Sequence, residues 1–174
     1  MSTANGVRYI YSRFGSRHVA DLLQTIFAAE ILRPSTRLWI VSPWISDIPV
    51  LDNRANTFSS LAPEWARSRI HLSVVLEWLL GRGTIVHVAT RGNEDHNRDF
   101  INRIENVSKG RSGMHLHLSA DLHDKGILGD GYHLAGSMNL THSGISINDE
   151  VLQFTTDSAN VASHQVAFRA RWKE

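Results

Sequence analysis

His123-Asp-Lys125-Gly-Ile-Leu-Gly-Asp130-Gly-Tyr-His-Leu-Ala-Gly136-Ser137-Met-Asn139 is the stretch around which the chain is organised. His123 and Lys125 are two residues apart, so in an extended strand they point to the same face. Ser137 and Asn139 have the same spacing and share a face in the same way. A nucleophilic imidazole, a cation and two hydrogen-bond donors on adjoining strands make a pocket for a tetrahedral phosphate. His-x-Lys alone arises often by chance, and Gly-Ser-x-Asn after a strand is an ordinary turn. The ordered combination is the informative feature.

Lys125 is followed by four residues and then Asp130, Thr141 follows Asn139 by two, and Glu150 lies eleven beyond Asn139. This order resembles the HxKxxxxD…GSxN pattern of the phospholipase D superfamily, often called the HKD motif. The small nucleases of that superfamily carry a carboxylate at the interval of Glu150. There is one departure: the superfamily usually has six residues between the Asp and the Gly-Ser, and here there are five, Gly131 to Ala135. Side chains alternate with period two, so one residue changes the face. A strict Asp130-Gly131 turn would pair Gly129 with Tyr132 and set Lys125 opposite Gly136, leaving Ser137 and Asn139 on the other face. The expectation is therefore a three-residue loop of Asp130, Gly131 and Tyr132, or a β-bulge. If neither is present, Ser137 and Asn139 leave the site.

Working outward, 174 residues suffice for one domain with a proper core, and 1–174 is read as a single domain. A hydrophobic content of 42% with 20% charge is that of a soluble globular protein. The net charge of +1 gives no global cationic field that would demand a polyanion. The cations are overwhelmingly Arg, with Lys only at Lys109, Lys125 and Lys173. Arg suits bidentate phosphate contact, although a GC-rich genome produces the same bias. With no cysteine, disulfides and thiolate metal sites are excluded. The first residues, Met1-Ser-Thr-Ala-Asn-Gly6, have no apolar h-region, and the apolar stretch Leu72 to Leu80 is broken by Glu77. A cytoplasmic protein with no membrane partner is the default.

Val7 to Tyr11 alternates as a first strand. A helix follows with Ser16 as N-cap and Val19, Leu22, Leu23, Ile26, Phe27 and Ile31 as its apolar stripe, ending at Pro34. Arg37 to Ser42 is a near-continuously apolar strand of a covered sheet, running into Ser42-Pro43-Trp44. Trp44 reads equally as a base-stacking platform or as a core cap beside a turn. Residues 47–66, bracketed by Pro49 and Pro63, form a long irregular connection: a lid or substrate loop with Arg54 as phosphate contact, or the site of a short helix. Arg67 to Leu80 reads as a helix closed by Gly81-Arg-Gly83. Thr84 to Ala89 is a buried strand, and Arg91 stands at its carboxyl end, where open α/β sheets place ligands. A helix over 94–108, the strand Met114 to Leu118, the motif hairpin, a strand from Glu150 and a final helix capped by Asp157 or Ser158 complete the chain. His115 and His117 share a face, and with His123 they raise a metal site. No acidic ligand cluster accompanies them, so no metal is assigned. Strands separated by helices predict an α/β domain, a mixed sheet covered by helices on both faces. The superfamily has that fold.

The resemblance implies a metal-independent phosphodiesterase that needs no cofactor and works through a covalent phosphohistidine. Such enzymes use two motif histidines, and this chain has a single His-x-Lys, so the second is expected from a twofold-related copy in a homodimer. His123 is then nucleophile or general acid. Lys125 and Asn139 hold the non-bridging oxygens, Ser137 adds a hydrogen bond, and Glu150 orients the imidazole. Trp44, Arg54, Arg91 and Thr141 are the expected substrate contacts. Asp130, on the hairpin loop, is read as structural. The expected activity is that of an endonuclease, with DNA ahead of RNA as the polymer. The alternatives are a phospholipid-cleaving or phosphatidyl-transferring enzyme, and a non-catalytic nucleic-acid-binding module on the same fold. Residues 42–54 are also similar to the phospholipase D-like component of bacterial systems that place deazapurines in DNA and restrict unmodified DNA, which would add partner proteins of a defence system.

Overall fold

The structure, a computed structural model, describes residues 6–13 and 17–172. The chain forms β1 (Val7–Ser12), α1 (His18–Leu32), β2 (Arg37–Val41), β3 (Pro49–Asp52), β4 (Arg69–His71), α2 (Leu72–Leu80) and β5 (Ile85–Thr90). A 3₁₀ turn (Asp95–Asn97) leads into α3 (Arg98–Ser108), then β6 (Met114–Leu118), β7 (Gly126–Leu128), β8 (His133–Gly136), α4 (His142–Ser146), β9 (Glu150–Thr155) and α5 (Ser158–Trp172). The expected Ser16 cap lies outside the described residues. Asp157 caps α5, its Oδ1 accepting from Asn160 N at 2.9 Å.

Seven strands make one mixed sheet in the order β1-β9-β8-β7-β2-β5-β6. β2, β5 and β6 are parallel, and β7, β8, β9 and β1 continue antiparallel from β2. The apolar stripes of α1, α2 and α3 bury Leu23, Phe27, Leu76, Phe100 and Ile104 against Leu38, Ile40, Val86, Val88, Ile127 and Leu134 on one face. α5 covers the middle of the other face, where Phe168 and Trp172 pack on Trp39, Leu128 and Leu122. Each fully buried large side chain contributes roughly 1.5–3 kcal/mol of transfer free energy, so both layers are fixed by many such contacts. The expected mixed sheet with helices on both faces is what forms.

Register decides where the candidate residues gather. Val41 pairs with both Ala89 and Gly126, Gly126 pairs with Ala135, and Gly136 pairs with Leu152. The carboxyl ends of β2, β5 and β8 therefore share one edge with the amino ends of β7 and β9. Trp44, Arg91, His123, Lys125, Ser137 and Glu150 all lie just beyond or at those ends.

Three local expectations are corrected. Residues 67–80 are not one helix: Arg69–His71 is a strand paired antiparallel with Pro49–Asp52, and the helix starts at Leu72. Three residues of alternation are too short a signal beside the strong apolar run that follows. Residues 47–66 hold β3 and a series of turns but no helix, and the turns are anchored to the core. Asn53, Ala62 and Trp65 are buried, and the Asn53 side chain accepts from Phe58 N at 3.0 Å and donates to Ala66 O at 3.0 Å. The hairpin, finally, makes the strict two-residue turn: Gly129 N donates to Tyr132 O at 3.1 Å, and Leu128 pairs with His133. The turn is pinned from outside, because the Asp130 carboxylate accepts from Thr36 N at 2.7 Å and from its hydroxyl at 2.6 Å. Asp130 thus ties the hairpin tip to the start of β2, the structural part read for it in the sequence.

Candidate active site

The strict turn keeps Lys125 opposite Gly136, the arrangement in which Ser137 was expected to face away. The chain escapes that consequence at Gly136, whose φ is +150°. A Cβ there would meet Val151 O at 2.2 Å, so only glycine fits this bend. Beyond it Ser137 N still donates to Val151 O at 3.1 Å, but Val151 N donates to Ser137 Oγ, at 3.0 Å, instead of to the main-chain carbonyl. The ladder ends there. Ser137 Oγ in turn donates to Glu150 Oε2, while Asn148 Nδ2 donates to Oε1 at 3.4 Å. The three-residue loop and the paired-strand bulge are absent, yet the break at Gly136 brings Ser137 to Glu150.

Glu150 is 5% exposed at the first position of β9. Its carboxylate is held by Ser137 and Asn148 and makes no hydrogen bond to His123. Asn139 forms no hydrogen bond to His123 or Lys125 either, and its Oδ1 is buried without a partner. Thr141, expected at substrate, is the N-cap of α4: its Oγ1 accepts from Gly144 N at 3.1 Å.

His123 is exposed, in the extended link before β7, and Lys125 Nζ donates to His123 O at 2.9 Å. The imidazole stands against Arg91, whose Nη2 donates toward His123 Nδ1 at 3.4 Å. Arg91 is itself clamped: Nε donates to Leu122 O at 3.0 Å, Nη1 meets Glu94 at 3.3 Å, and the guanidinium lies 4.6 Å from the Trp44 ring centroid. Two sequence-stretch candidates, Trp44 and Arg91, are therefore joined beside His123. Asp124 forms an ion pair with Arg171, which fastens the same link to α5.

Arg54 is elsewhere. It is paired with Asp52 through Nη2 at 2.5 Å and lines a cavity of about 520 Å³ with Arg17, Arg69 and His142, a lining that includes neither His123 nor Lys125. That pairing holds the Asp52 carboxyl down at about 2. His115 and His117 face the packing under α5: His87 stacks on Trp39 at 3.7 Å and on His115 at 4.6 Å, and His117 lies 5.1 Å from the Trp172 ring. Among the described residues no group of three His, Asp or Glu is arranged to hold a metal.

Two supporting residues escaped the sequence reading. Asn97 is fully buried and uses its whole amide: Oδ1 accepts from Ile45 N at 2.8 Å, and Nδ2 donates to Pro43 O at 2.7 Å and to Arg91 O at 2.8 Å. It locks together the chain leaving β2 and β5, and so holds Trp44 and Arg91 at one place. Ser42 does the same for the far side, its Oγ accepting from Leu140 N at 3.0 Å and donating to Trp44 O at 2.7 Å. Only a turn-like composition around Asn97 marks it in the sequence, and that signal is generic.

Residues 62–172 match the family model described as the cardiolipin synthase, PLD-like domain. The fold is similar to that of Nuc, a phospholipase D family member from Salmonella typhimurium, with a TM-score of 0.62 and 17% identity, covering 96% of this chain and 93% of that one. It is similar also to NucT from Helicobacter pylori, with a TM-score of 0.57 and 12% identity over 94% of this chain and 95% of that one. TrmBL2, an archaeal chromatin protein with a novel mode of DNA binding, gives a TM-score of 0.53 at 12% identity, covering 95% of this chain and 52% of that one. No curated protein matches the sequence. No helix among the described residues is long and apolar enough to cross a membrane.

Proposed function

The chain belongs to the phospholipase D-like domain family, and from that premise we propose that it is a metal-independent phosphodiesterase, an endonuclease acting on DNA in preference to RNA. One observation carries the reading. The Gly126–Ala135 pairing sets the His123-Asp124-Lys125 link beside the Gly136-Ser137 exit, and Ser137 is bonded to Glu150. A nucleophile, a cation, a hydroxyl and a carboxylate thus share one sheet edge.

In the proposed reaction His123 Nε2 attacks phosphorus, and a P–N bond forms as the P–O bond to the leaving oxygen breaks. His123 of the partner subunit gives that oxygen its proton. The same imidazole then takes a proton from water, whose oxygen displaces the histidine and regenerates the enzyme. Lys125 faces the non-bridging oxygens, where charge builds in the transition state; with the loop and the bulge both absent, Asn139 has left this part. A nucleophilic Nε2 needs its proton on Nδ1, so Arg91 yields that nitrogen to an acceptor when the site assembles, the part proposed for Glu150. Trp44 and Arg91 contact the flanking nucleotide, and a restriction or defence system with partner proteins is the proposed setting.

The test is cleavage of plasmid and single-stranded DNA in excess EDTA, set against headgroup release from phospholipid vesicles. The description of the matched family as a cardiolipin synthase domain favours the second, phosphatidyl-transferring reading enough to keep that arm. DNA cleavage that His123→Ala abolishes supports the nuclease. Headgroup release without DNA cleavage replaces it with the lipid enzyme. DNA binding with neither activity would make this a binding module.

A further inference from the structure

The edge of the sheet opposite the candidate active site holds a second built cavity. It has a volume of about 690 Å³ and opens between α1, β1, β9 and the Asp130-Gly131-Tyr132 tip of the hairpin. That volume lies in the range of small-molecule sites. Its walls are largely apolar: Ile10, Leu22 and Ile26 face the Tyr132 and Phe154 rings, whose centroids are 6.2 Å apart.

The charges around it are unequal in availability. Glu30 is 2% exposed, and both its oxygens are occupied, by Ser35 N at 2.8 Å and Ser35 Oγ at 2.7 Å. The Asp130 carboxylate is occupied by Thr36. Arg8 and Arg33 also line the cavity, and neither guanidinium forms a hydrogen bond or ion pair among the described residues. Two anions are thus consumed inside the fold while two cations remain open to a ligand. The Tyr132 hydroxyl is buried there without a hydrogen-bond partner. Burial first, and then the adjacent Glu30 carboxylate, push its pKa up, so the hydroxyl stays neutral beside Glu30 and adds no charge to the cavity wall.

We propose that this cavity binds a small amphipathic anion, with its apolar or aromatic body between α1 and the Tyr132–Phe154 pair and its carboxylate or phosphate at Arg8 and Arg33. Guanidinium forks match both anionic groups, and the lining matches the body. A medium-chain fatty acid and a nucleoside monophosphate share this chemistry. The site needs nothing from the active-site reading, because none of its lining residues takes part there.

The probe is 8-anilinonaphthalene-1-sulfonate, an aromatic anion whose fluorescence rises on burial, titrated into the full chain and then displaced with decanoate or AMP. The variants are Arg8→Ala/Arg33→Ala, which removes the cations, and Ala29→Trp, which narrows the cavity from an exposed helix position that lines it. Arg33→Ala alone serves if the double variant does not keep the wild-type circular dichroism and melting point. Saturable binding of one probe per chain, weakened at least tenfold by these changes and unaltered in His123→Ala, is the expected result. Displacement by decanoate assigns an aliphatic carboxylate, and displacement by AMP a nucleotide. Absence of saturable binding, variants that bind as tightly as wild type, or failure of both competitors to displace the probe would overturn the proposal.

Discussion

Ser137 Oγ donates to the Glu150 carboxylate and accepts from Val151 N at 3.0 Å, so one hydroxyl joins the exit of β8 to the start of β9. Glu150 is buried, and deleting its donor leaves a carboxylate short of one hydrogen bond. Ser137→Ala is therefore expected to cost about 1–2 kcal/mol in a urea melt. It should also lower kcat on a phosphodiester substrate by on the order of 10–100-fold, with KM little changed, because the positioned carboxylate drifts. Ser137→Thr keeps the hydroxyl and should recover most of the loss. A Thr variant as poor as the Ala variant would show that side-chain bulk, not the hydrogen bond, governs this corner.

Gly136→Ala tests the bend that makes this link reachable. The added Cβ would meet Val151 O at 2.2 Å and Leu152 Cα at 2.9 Å, at a φ of +150° that L residues rarely adopt. We expect destabilisation of roughly 2–4 kcal/mol and loss of phosphodiesterase activity. Gly131→Ala, at a position with nothing within 4 Å, should be silent in both assays and serves as the control.

Much of this architecture was legible in the sequence, and the exceptions have physical causes. Helical stripes such as Val19 to Ile31 and buried runs such as Arg37 to Val41 carry their period along many residues, so their elements could be read directly. Arg69–His71 could not, since a three-residue strand has meaning only through its partner at Pro49–Asp52, far away in the chain. The motif spacing grouped His123, Lys125, Ser137, Asn139 and Glu150; their segments meet at one end of the sheet, where Ser137 is bonded to Glu150 and His123 stands against Arg91 instead. That spacing also led to the expectation of a longer loop, because counting alternation assumes a regular ladder and cannot see a break at one glycine. Thr141 fell to a local rule, its hydroxyl being the nearest acceptor for the first turn of α4. Arg54 was claimed by Asp52 two residues away, and Asn97 drew its meaning from joining Thr90 and Arg91, just before it in the chain, to Pro43 and Ile45, some fifty residues earlier.

Asp130→Asn separates a structural from a catalytic aspartate. Among the described residues its carboxylate accepts only from Thr36 N and Oγ1, at the end of the hairpin remote from Lys125. Weakening this charge-assisted pair should lower stability by about 1–2 kcal/mol while leaving kcat per folded molecule within twofold of wild type. A large drop in kcat with an unchanged melting curve would be the contrary outcome.

Stability should fall in mild acid through His133. Burial first, and then the neighbouring His164, hold its pKa down at about 4, against 6.5 in an unfolded chain. The unfolded state thus binds the proton more readily, so this contribution is complete above about pH 6.5 and is lost as pH falls toward 4. The loss amounts to on the order of 3 kcal/mol. His133→Leu should flatten the dependence of the urea midpoint on pH between 7.5 and 4.5. An unchanged slope in that variant would place the acid sensitivity at other groups.

The account rests on His123 as the group that takes the phosphoryl bond. The direct measurement is an alkaline quench of the protein reacting with a labelled oligonucleotide in excess EDTA, followed by peptide mass spectrometry. We expect an acid-labile nucleotide adduct on the peptide that carries His123, absent from His123→Ala along with cleavage itself. Undiminished cleavage by His123→Ala, or an adduct on any other residue, would contradict the claim.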